Sequence, residues 1–274
     1  MPESSFRIAR PSSFYDAYIF DLDGTVYLGD ALLPHAHRAI TTIRNAGKHT
    51  VFLSNNPTHT RFECSRKLTR LGLPTPPENI INSSVVMVDF LQQILPNARL
   101  FVCGEQPLLD DLRAGGFSFA DGPAEIDAVI ASFDRTFTYS KLQFAFDAIR
   151  AGARFFATNG DRYCPVPGGG QPDAASIIAA IEACTSKPCE AIVGKPSIHM
   201  TNAVLNILQM PPERCIMTGD RLETDVQMGL NAGMATALTL TGAATLKDVQ
   251  ATAIRPQFIL DDLGDLLPKT SPER

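Results

Sequence analysis

Residues 17–25 read AYIFDLDGT, and this stretch decides the fold. Four apolar residues end abruptly at Asp21, which is the pattern of a buried strand that runs into a polar loop. Asp21, Asp23 and Gly24 all lie in this loop. The stretch predicts a strand with an acidic loop at its carboxyl end.

The rest of the chain alternates between short apolar runs and amphipathic segments. Strands are predicted at 17–20, 50–53, 99–103, 128–132, 154–158, 191–193, 215–218, 235–240 and 258–260, and helices at 35–47, 61–71, 107–114, 140–151, 173–184, 198–208 and 225–232. A loop rich in Pro and Gly is predicted at 164–172. The alternation is typical of a parallel sheet covered by helices, and it predicts an α/β, doubly wound, Rossmann-like core.

The composition limits the classes of partner. The chain has 274 residues, 45% of them apolar, and a net charge of -5, which gives no electrostatic reason to expect nucleic acid or a membrane as partner. Its six cysteines include no CxxC pair, residues 1–13 are polar, and no apolar run approaches the roughly 18–20 residues that span a bilayer. We therefore expect a cytoplasmic protein with reduced thiols.

Polar segments directly follow four of the predicted strands. Because ligands bind at the carboxyl ends of the strands in open parallel sheets, these segments predict the site. They are DLDGT at 21–25, SNN at 54–56, GKP at 194–196 and GDRLETD at 219–225. Carboxylates suit Mg²⁺ and a lysine supplies a compact positive charge for phosphate, so the set predicts a site for a metal and a phosphate together.

These four segments, in this order, resemble the haloacid dehalogenase superfamily of phosphotransferases, and the match extends from Asp21 to Asp225. The resemblance implies that Asp21 is the nucleophile and also binds Mg²⁺. Asp23 would protonate the leaving oxygen, activate water and ligate the metal through its carbonyl. An aspartate two positions after the nucleophile is typical of members that hydrolyse phosphate esters, so Asp23 favours ester hydrolysis.

The resemblance also implies roles for the other segments. Ser54 and Asn55 would hydrogen-bond the phosphoryl oxygens, and Lys195 would pair with Asp21 and the phosphate. Asp220 would ligate the metal directly, whereas Asp225 would hold the metal shell or Lys195.

Ser54 and Lys195 are 141 positions apart, which leaves room for an inserted α/β domain. An insert in this interval resembles the type 2 cap of subfamily IIA, and SNNPT at 54–58 resembles its NagD-like, p-nitrophenyl phosphatase group. ATNGD at 157–161 and DRTFTYSKL at 134–142 are similar to cap segments of that group. The resemblance implies that Asn159 and Asp161 contact the substrate, and that the cap can form a homodimer.

These positions predict the domain boundaries. The core is expected at 14–82 and 189–268, the cap at 83–188, and flexible termini at 1–13 and 269–274.

Two other loop types can be excluded. A calcium EF-hand needs an acidic or Asn residue, a glycine and a glutamate where Thr25, Val26 and Leu32 stand. A nucleotide-binding P-loop needs Ser or Thr directly after its lysine, but Pro196 follows Lys195.

The sequence thus predicts a Mg²⁺-dependent phosphatase of small phosphate monoesters. Sugar phosphates are favoured, with p-nitrophenyl phosphate as an artificial substrate. Pyridoxal phosphate, phosphoglycolate or nucleotides are the alternatives within hydrolysis, and a phosphomutase or a non-catalytic sensor of phosphorylated metabolites lies outside it. Glu223 stays open between a place in the metal shell and a helix cap.

Overall fold

The computed structural model describes residues 10–166 and 168–268, and these residues form two compact units. The first unit comprises the described residues up to Leu53, Ser65–Ile80 and those from Val204 onward. The second comprises Ser54–Cys64 and Ile81–Ala203. The domain boundaries expected at 83 and 188 stay a prediction. Of the expected flexible termini, residues 1–9 and 269–274 lie outside the described residues.

The elements are numbered in chain order. The strands are β1 (Ala17–Asp21), β2 (Tyr27–Leu28), β3 (Ala31–Leu32), β4 (His49–Ser54), β5 (Ile80–Asn82), β6 (Arg99–Cys103), β7 (Ser118–Phe119), β8 (Ala128–Ala131), β9 (Arg154–Ala157), β10 (Tyr163–Val166), β11 (Gly169–Pro172), β12 (Ala191–Ile192), β13 (Cys215–Gly219), β14 (Ala235–Thr239) and β15 (Phe258–Leu260). The helices are α1 (Ala36–Asn45), α2 (Arg61–Arg70), α3 (Ser83–Ile94), α4 (Gln106–Ala114), α5 (Tyr139–Ala151), α6 (Ala174–Thr185), α7 (Ile198–Leu208), α8 (Gln227–Ala232) and α9 (Leu246–Ala251). Leu222–Val226 is a π-helix, and 3₁₀ turns lie at Pro77–Asn79, Pro123–Glu125, Pro212–Arg214 and Leu263–Leu266.

The first sheet has six strands in the order β15-β14-β13-β1-β4-β5. The central strand β1 is buried along its whole length and pairs in parallel with β13 and β4. Tyr18 stacks on Phe20 at a ring separation of 6.1 Å, and Phe20 stacks on Phe52 at 5.7 Å. These aromatic pairs fix β1 against β4 in the core of the unit.

The second unit has its own five-stranded parallel sheet, in the order β12-β9-β8-β6-β7. Its core contains buried residues of β8, α5 and α6, among them Val129, Ala148 and Ile177. Thr138 caps α5 by accepting a hydrogen bond from Lys141, and α5 ends at Gly152, whose φ of 116° suits glycine. The two parallel sheets with their connecting helices confirm the predicted α/β class.

The fold differs from the sequence-based expectation in several places, and the short strands β2, β3, β5 and β7 were not predicted. The loop predicted at 164–172 is an antiparallel hairpin of β10 and β11, because main-chain pairing forms there despite Pro165 and three glycines. Helix α3 was not predicted, since its apolar residues run nearly without interruption and hide the helical period. The helix predicted at 225–232 begins three residues earlier as a π-helix. Helix α9, which begins in a capping box at Thr245 and Asp248, was also not predicted.

In the described part of the chain, no helix is long and apolar enough to cross a membrane.

Candidate active site

Asp21 ends the central strand of the first sheet. The register pairs Asp21 with Leu53 of β4, and its neighbour Phe20 with Thr218 of β13. Strand β4, which follows β1 in this sheet, therefore lies on one side of β1, and the later strand β13 lies on the other side. This is the point of an open α/β sheet where ligands bind, and Asp21 occupies its carboxyl edge.

Asp21, Asp220 and Asp225 form a buried acidic cluster within the first unit. Each offers a carboxylate oxygen, and these oxygens all lie within 4.8 Å of one another. The three residues are 7%, 2% and 1% exposed. Negative charges held so close and away from water repel one another, so a cation among them would relieve the repulsion. Three hard oxygen donors fit a magnesium ion.

A loop that directly follows β14 holds Asp220. The main-chain N–H of Ala243 donates to Oδ2 of Asp220 over 2.6 Å. Gly24 and Gly242 both face this carboxylate, and a Cβ on Gly24 would lie only 2.5 Å from Oδ2 of Asp220. A Cβ on Gly242 would come closer still. Two glycines are therefore needed for Asp220 to reach its position.

The turn after β1 carries Asp23. The carbonyl of Leu22 accepts from the N–H of Val26 over 2.9 Å, and Gly24 has a φ of +88° that favours glycine. Thr241 Oγ1 donates to the carbonyl of Gly24 over 2.7 Å and fixes the turn to the loop after β14. Asp23 is half-buried, whereas Asp21 is buried.

Asp225 packs over the end of β13. It lies in the π-helix, and its Oδ2 accepts from the N–H of Arg221 over 3.1 Å. The side chain passes so close to Gly219 that a Cβ at Gly219 would lie far inside van der Waals contact with the carboxyl group. Asp225 can occupy this position only because residue 219 is glycine and has no side chain.

Replacing Gly219 by alanine is therefore expected to displace Asp225. We expect the free energy of unfolding to fall by about 1–3 kcal/mol, which is typical of overpacking, and the hydrolytic rate to fall with it. Urea denaturation and a phosphate-release assay measure the two effects. Gly122→Ala is the control, because a Cβ there makes only ordinary contacts at 3.5 Å or more. Unchanged stability and rate in Gly219→Ala would contradict this description of the site.

The second unit brings together the predicted phosphate-binding residues. Ser54 Oγ accepts from the N–H of Asn56 over 3.1 Å, and Ser83 Oγ donates to the carbonyl of Asn55 over 2.8 Å. Lys195 is 3% exposed. The N–H of Lys195 donates to Oδ1 of Asn55 over 2.8 Å, so the segments at 54–56 and 194–196 are in direct contact.

The predicted substrate-contacting residues lie in the same network. Asn55 Nδ2 donates to Oδ2 of Asp161 over 2.8 Å, and Asn159 Nδ2 donates to the same oxygen over 2.9 Å. Asn159 is fully buried, and Asp161 is half-buried. Substrate contact by either residue stays a prediction. The contacts of the segment at 134–142 are internal. Asp134 pairs with Lys141 at 2.5 Å and accepts from the N–H of Thr136, and these bonds stabilise the segment itself.

Three parts of these networks escaped sequence reasoning. The loop at 241–243 follows a predicted strand of the first sheet, so the carboxyl-end rule could have found it. Asp173 accepts from Asn159 over 3.1 Å and caps α6, and the only signal was an aspartate before a helix. Gly194 lies in the predicted segment at 194–196, but nothing in the sequence indicated its close approach to Thr158 and Asn55.

Comparisons with known proteins show the family to which the chain belongs. Residues 18–118 match the family model described as haloacid dehalogenase-like hydrolase, and residues 192–266 match a second model of HAD-like hydrolases. The sugar-phosphatase AraL of Bacillus subtilis is 39% identical over 248 residues, which cover 90% of each chain. The chain belongs to the haloacid dehalogenase-like hydrolases.

Two solved structures place the chain within this superfamily. The 4-nitrophenylphosphatase of Thermotoga maritima superposes with a TM-score of 0.86 at 34% identity, covering 92% of this chain and 96% of its own. NagD of E. coli K-12 superposes with a TM-score of 0.82 at 28% identity, covering 92% and 98%. The predicted resemblance to the NagD-like group of subfamily IIA is confirmed, and the protein is a phosphoric monoester hydrolase of that group.

Proposed function

We propose that this hydrolase cleaves small phosphate monoesters, sugar phosphates above all, through a covalent phosphate on Asp21. The observation that carries the proposal is the placement of Asp21. Its carboxylate ends the central strand at the carboxyl edge of the sheet, buried and within 4.8 Å of two further carboxylates.

We propose that Mg²⁺ is the cofactor. Asp21 and Asp220 would ligate it, Asp23 would contribute its main-chain carbonyl, and Asp225 would hold the metal shell. The bound ion supplies charge that offsets the negative phosphoryl group. The buried, all-oxygen donor set supports this choice of metal.

The chain's own carboxylates carry the two displacements. A carboxylate oxygen of Asp21 attacks phosphorus while the bond from phosphorus to the ester oxygen breaks, and Asp23 gives its proton to the leaving alkoxide. Asp23 then takes a proton from water as the water oxygen attacks phosphorus. The bond from phosphorus to Asp21 breaks, which releases inorganic phosphate and restores both side chains.

The phosphoryl oxygens would be held by Ser54, Asn55 and Lys195. Lys195 supplies a positive charge, and the Ser54 hydroxyl supplies a hydrogen bond. The side-chain amide of Asn55 already makes three hydrogen bonds within the second unit, so its main-chain N–H is the group we assign to phosphate.

A sugar phosphate is the favoured substrate because the Bacillus subtilis relative, 39% identical, is named a sugar-phosphatase. The second unit would select the leaving group, and it would also form the contact of a homodimer. Sedimentation of the purified protein tests the dimer.

Phosphate release from a panel of esters tests the function. The panel holds sugar phosphates, phosphoglycolate, pyridoxal phosphate, nucleoside monophosphates and p-nitrophenyl phosphate, each with Mg²⁺ and with EDTA. We expect release that requires the metal and is fastest with a sugar phosphate. A different leading ester would change the substrate, whereas isomerised sugar phosphate without free phosphate would indicate a phosphomutase. Tight binding with no turnover would indicate a sensor and contradict the proposal.

A further inference from the structure

The side-chain amide of Asn55 forms two hydrogen bonds with the main chain of Lys195, and we call this pair of bonds the clamp. Oδ1 of Asn55 accepts from the N–H of Lys195 over 2.8 Å, and Nδ2 donates to the carbonyl of Lys195 over 3.2 Å. Both bonds lie within the second unit and are away from solvent. Position 55 is 140 residues from 195, so this pairing is a tertiary restraint on the lysine's main chain.

Asp161 reinforces the orientation of the Asn55 amide that the bonds to Lys195 require. An ionised carboxylate only accepts hydrogen bonds, and the two ends of an amide differ in that one donates and the other accepts. With Asp161 Oδ2 at 2.8 Å, the NH₂ end of Asn55 must face Asp161. The oxygen is then left to accept from Lys195. A flipped amide would place oxygen against carboxylate and NH₂ against the N–H of Lys195.

Asp161 is itself held by a buried polar chain. Asn159 Nδ2 donates both to Asp161 over 2.9 Å and to Asp173 over 3.1 Å. Thr158 Oγ1 lies 2.8 Å from Oδ1 of Asn159 and also 2.8 Å from Oγ of Ser132. A satisfied network of this kind is rigid, so Asp161 has little freedom to move away from Asn55.

The close approach depends on Gly194. Its N–H donates to the carbonyl of Thr158 over 2.7 Å. A Cβ at Gly194 would lie 2.6 Å from that carbonyl oxygen and 2.7 Å from Oδ1 of Asn55. Because residue 194 is glycine, Thr158 and Asn55 can both lie against the main chain at this position.

We infer that Asp161 is a positioning residue for phosphoryl transfer, acting through Asn55 on the main chain of Lys195. The inference rests on the proposed function of Lys195 in binding phosphate. It differs from the role implied by the family resemblance, in which Asp161 contacts the sugar. If Asp161 positions Lys195, its loss affects how the phosphoryl group is held, and every substrate has that group. The size of the effect should then not depend on the leaving group.

The test compares two leaving groups in Asp161→Ala. We expect kcat/KM to fall about 10- to 100-fold, the usual cost of misplacing a group by about 1 Å. The factor should be the same for p-nitrophenyl phosphate, which has no hydroxyl groups, and for the best sugar phosphate of the panel. Asp161→Asn keeps the volume and an acceptor oxygen, so we expect a smaller loss that is again uniform. It also serves as the test variant if Asp161→Ala does not fold.

A double-mutant cycle tests the route through Asn55. If Asp161 acts through Asn55, adding Asp161→Ala to Asn55→Ala should cost little further activity, within about threefold. Affinity for inorganic phosphate, measured by calorimetry, should weaken in both single variants, and it does not depend on turnover. Asp134→Ala is the matched control, because Asp134 is a buried aspartate of the same unit that pairs with Lys141. We expect it to lower the melting temperature and to leave kcat of the folded protein unchanged.

The outcomes separate this inference from the proposed function. Loss with the sugar phosphate alone would make Asp161 a substrate contact and overturn the inference, while phosphatase activity would stand. Full additivity in the cycle, or unchanged phosphate affinity, would also overturn it. A wild-type protein that releases no phosphate from any ester would contradict the proposed function. The phosphate affinities of the variants would then still decide whether Asp161 positions the lysine.

Discussion

Asp21→Asn is expected to lower kcat by about 10⁴-fold or more while the protein stays folded. A carboxamide has the shape of a carboxylate but lacks the negative oxygen that attacks phosphorus, so no covalent intermediate forms. The substitution also removes one negative charge from a buried cluster of three carboxylates, so we expect no loss of stability. Phosphate release with the best ester of the panel measures the effect, and a thermal melt measures the fold.

Asp16→Asn is the matched control for this variant. Asp16 lies just before the same strand and forms ion pairs with Lys48 and Arg214, which together lower the pKa of its carboxyl to about 2. Because these contacts are far along the strand from Asp21, we expect kcat to stay near the wild-type value. Substantial turnover by Asp21→Asn would overturn the assignment of the nucleophile.

Asp220→Asn is expected to lower kcat by about 100- to 1,000-fold and to raise the Mg²⁺ concentration needed for half-maximal activity. The neutral amide is a poor ligand for a hard cation. The N–H of Ala243 can still donate to an oxygen at position 220, so the loop after β14 keeps its anchor. Calorimetric titration with Mg²⁺ measures the loss of affinity independently of turnover.

Asp248→Asn controls for the general effect of removing an aspartate from the first unit. Asp248 is exposed and takes part in the capping box of α9, so it should leave Mg²⁺ affinity unchanged. Equal Mg²⁺ affinity in Asp220→Asn and the wild type would remove Asp220 from the proposed metal site.

Elements with a strong local pattern were predictable from the sequence. Strand β15 and helix α7 have the predicted bounds, because an apolar run and a 3.6-residue period identify them without tertiary information. The approach of Asp21, Asp220 and Asp225 was also foreseeable. Each residue follows a predicted core strand or lies just beyond one, and parallel strands bring their carboxyl ends to one edge.

The features that were not predicted depend on pairing and packing that no local sequence pattern reveals. The hairpin at 163–172 forms by cross-strand pairing, which overrides the low strand propensity of its glycines. The close packing of Asp225 over Gly219 is a steric relation that no local pattern reveals. In the same way, the clamp of Asn55 on Lys195 joins residues 140 positions apart, so sequence reasoning assigned Asn55 to the phosphate alone.

The central claim is that phosphate is transferred to Asp21 before it reaches water. Rapid acid quench of the wild-type protein during turnover, followed by proteolysis and mass spectrometry, tests it most directly. We predict a phosphorylated peptide that contains Asp21, that is absent from Asp21→Asn, and that disappears when the substrate is exhausted. Sustained phosphate release with no phosphorylated peptide, or with the phosphate on a different residue, would contradict the account.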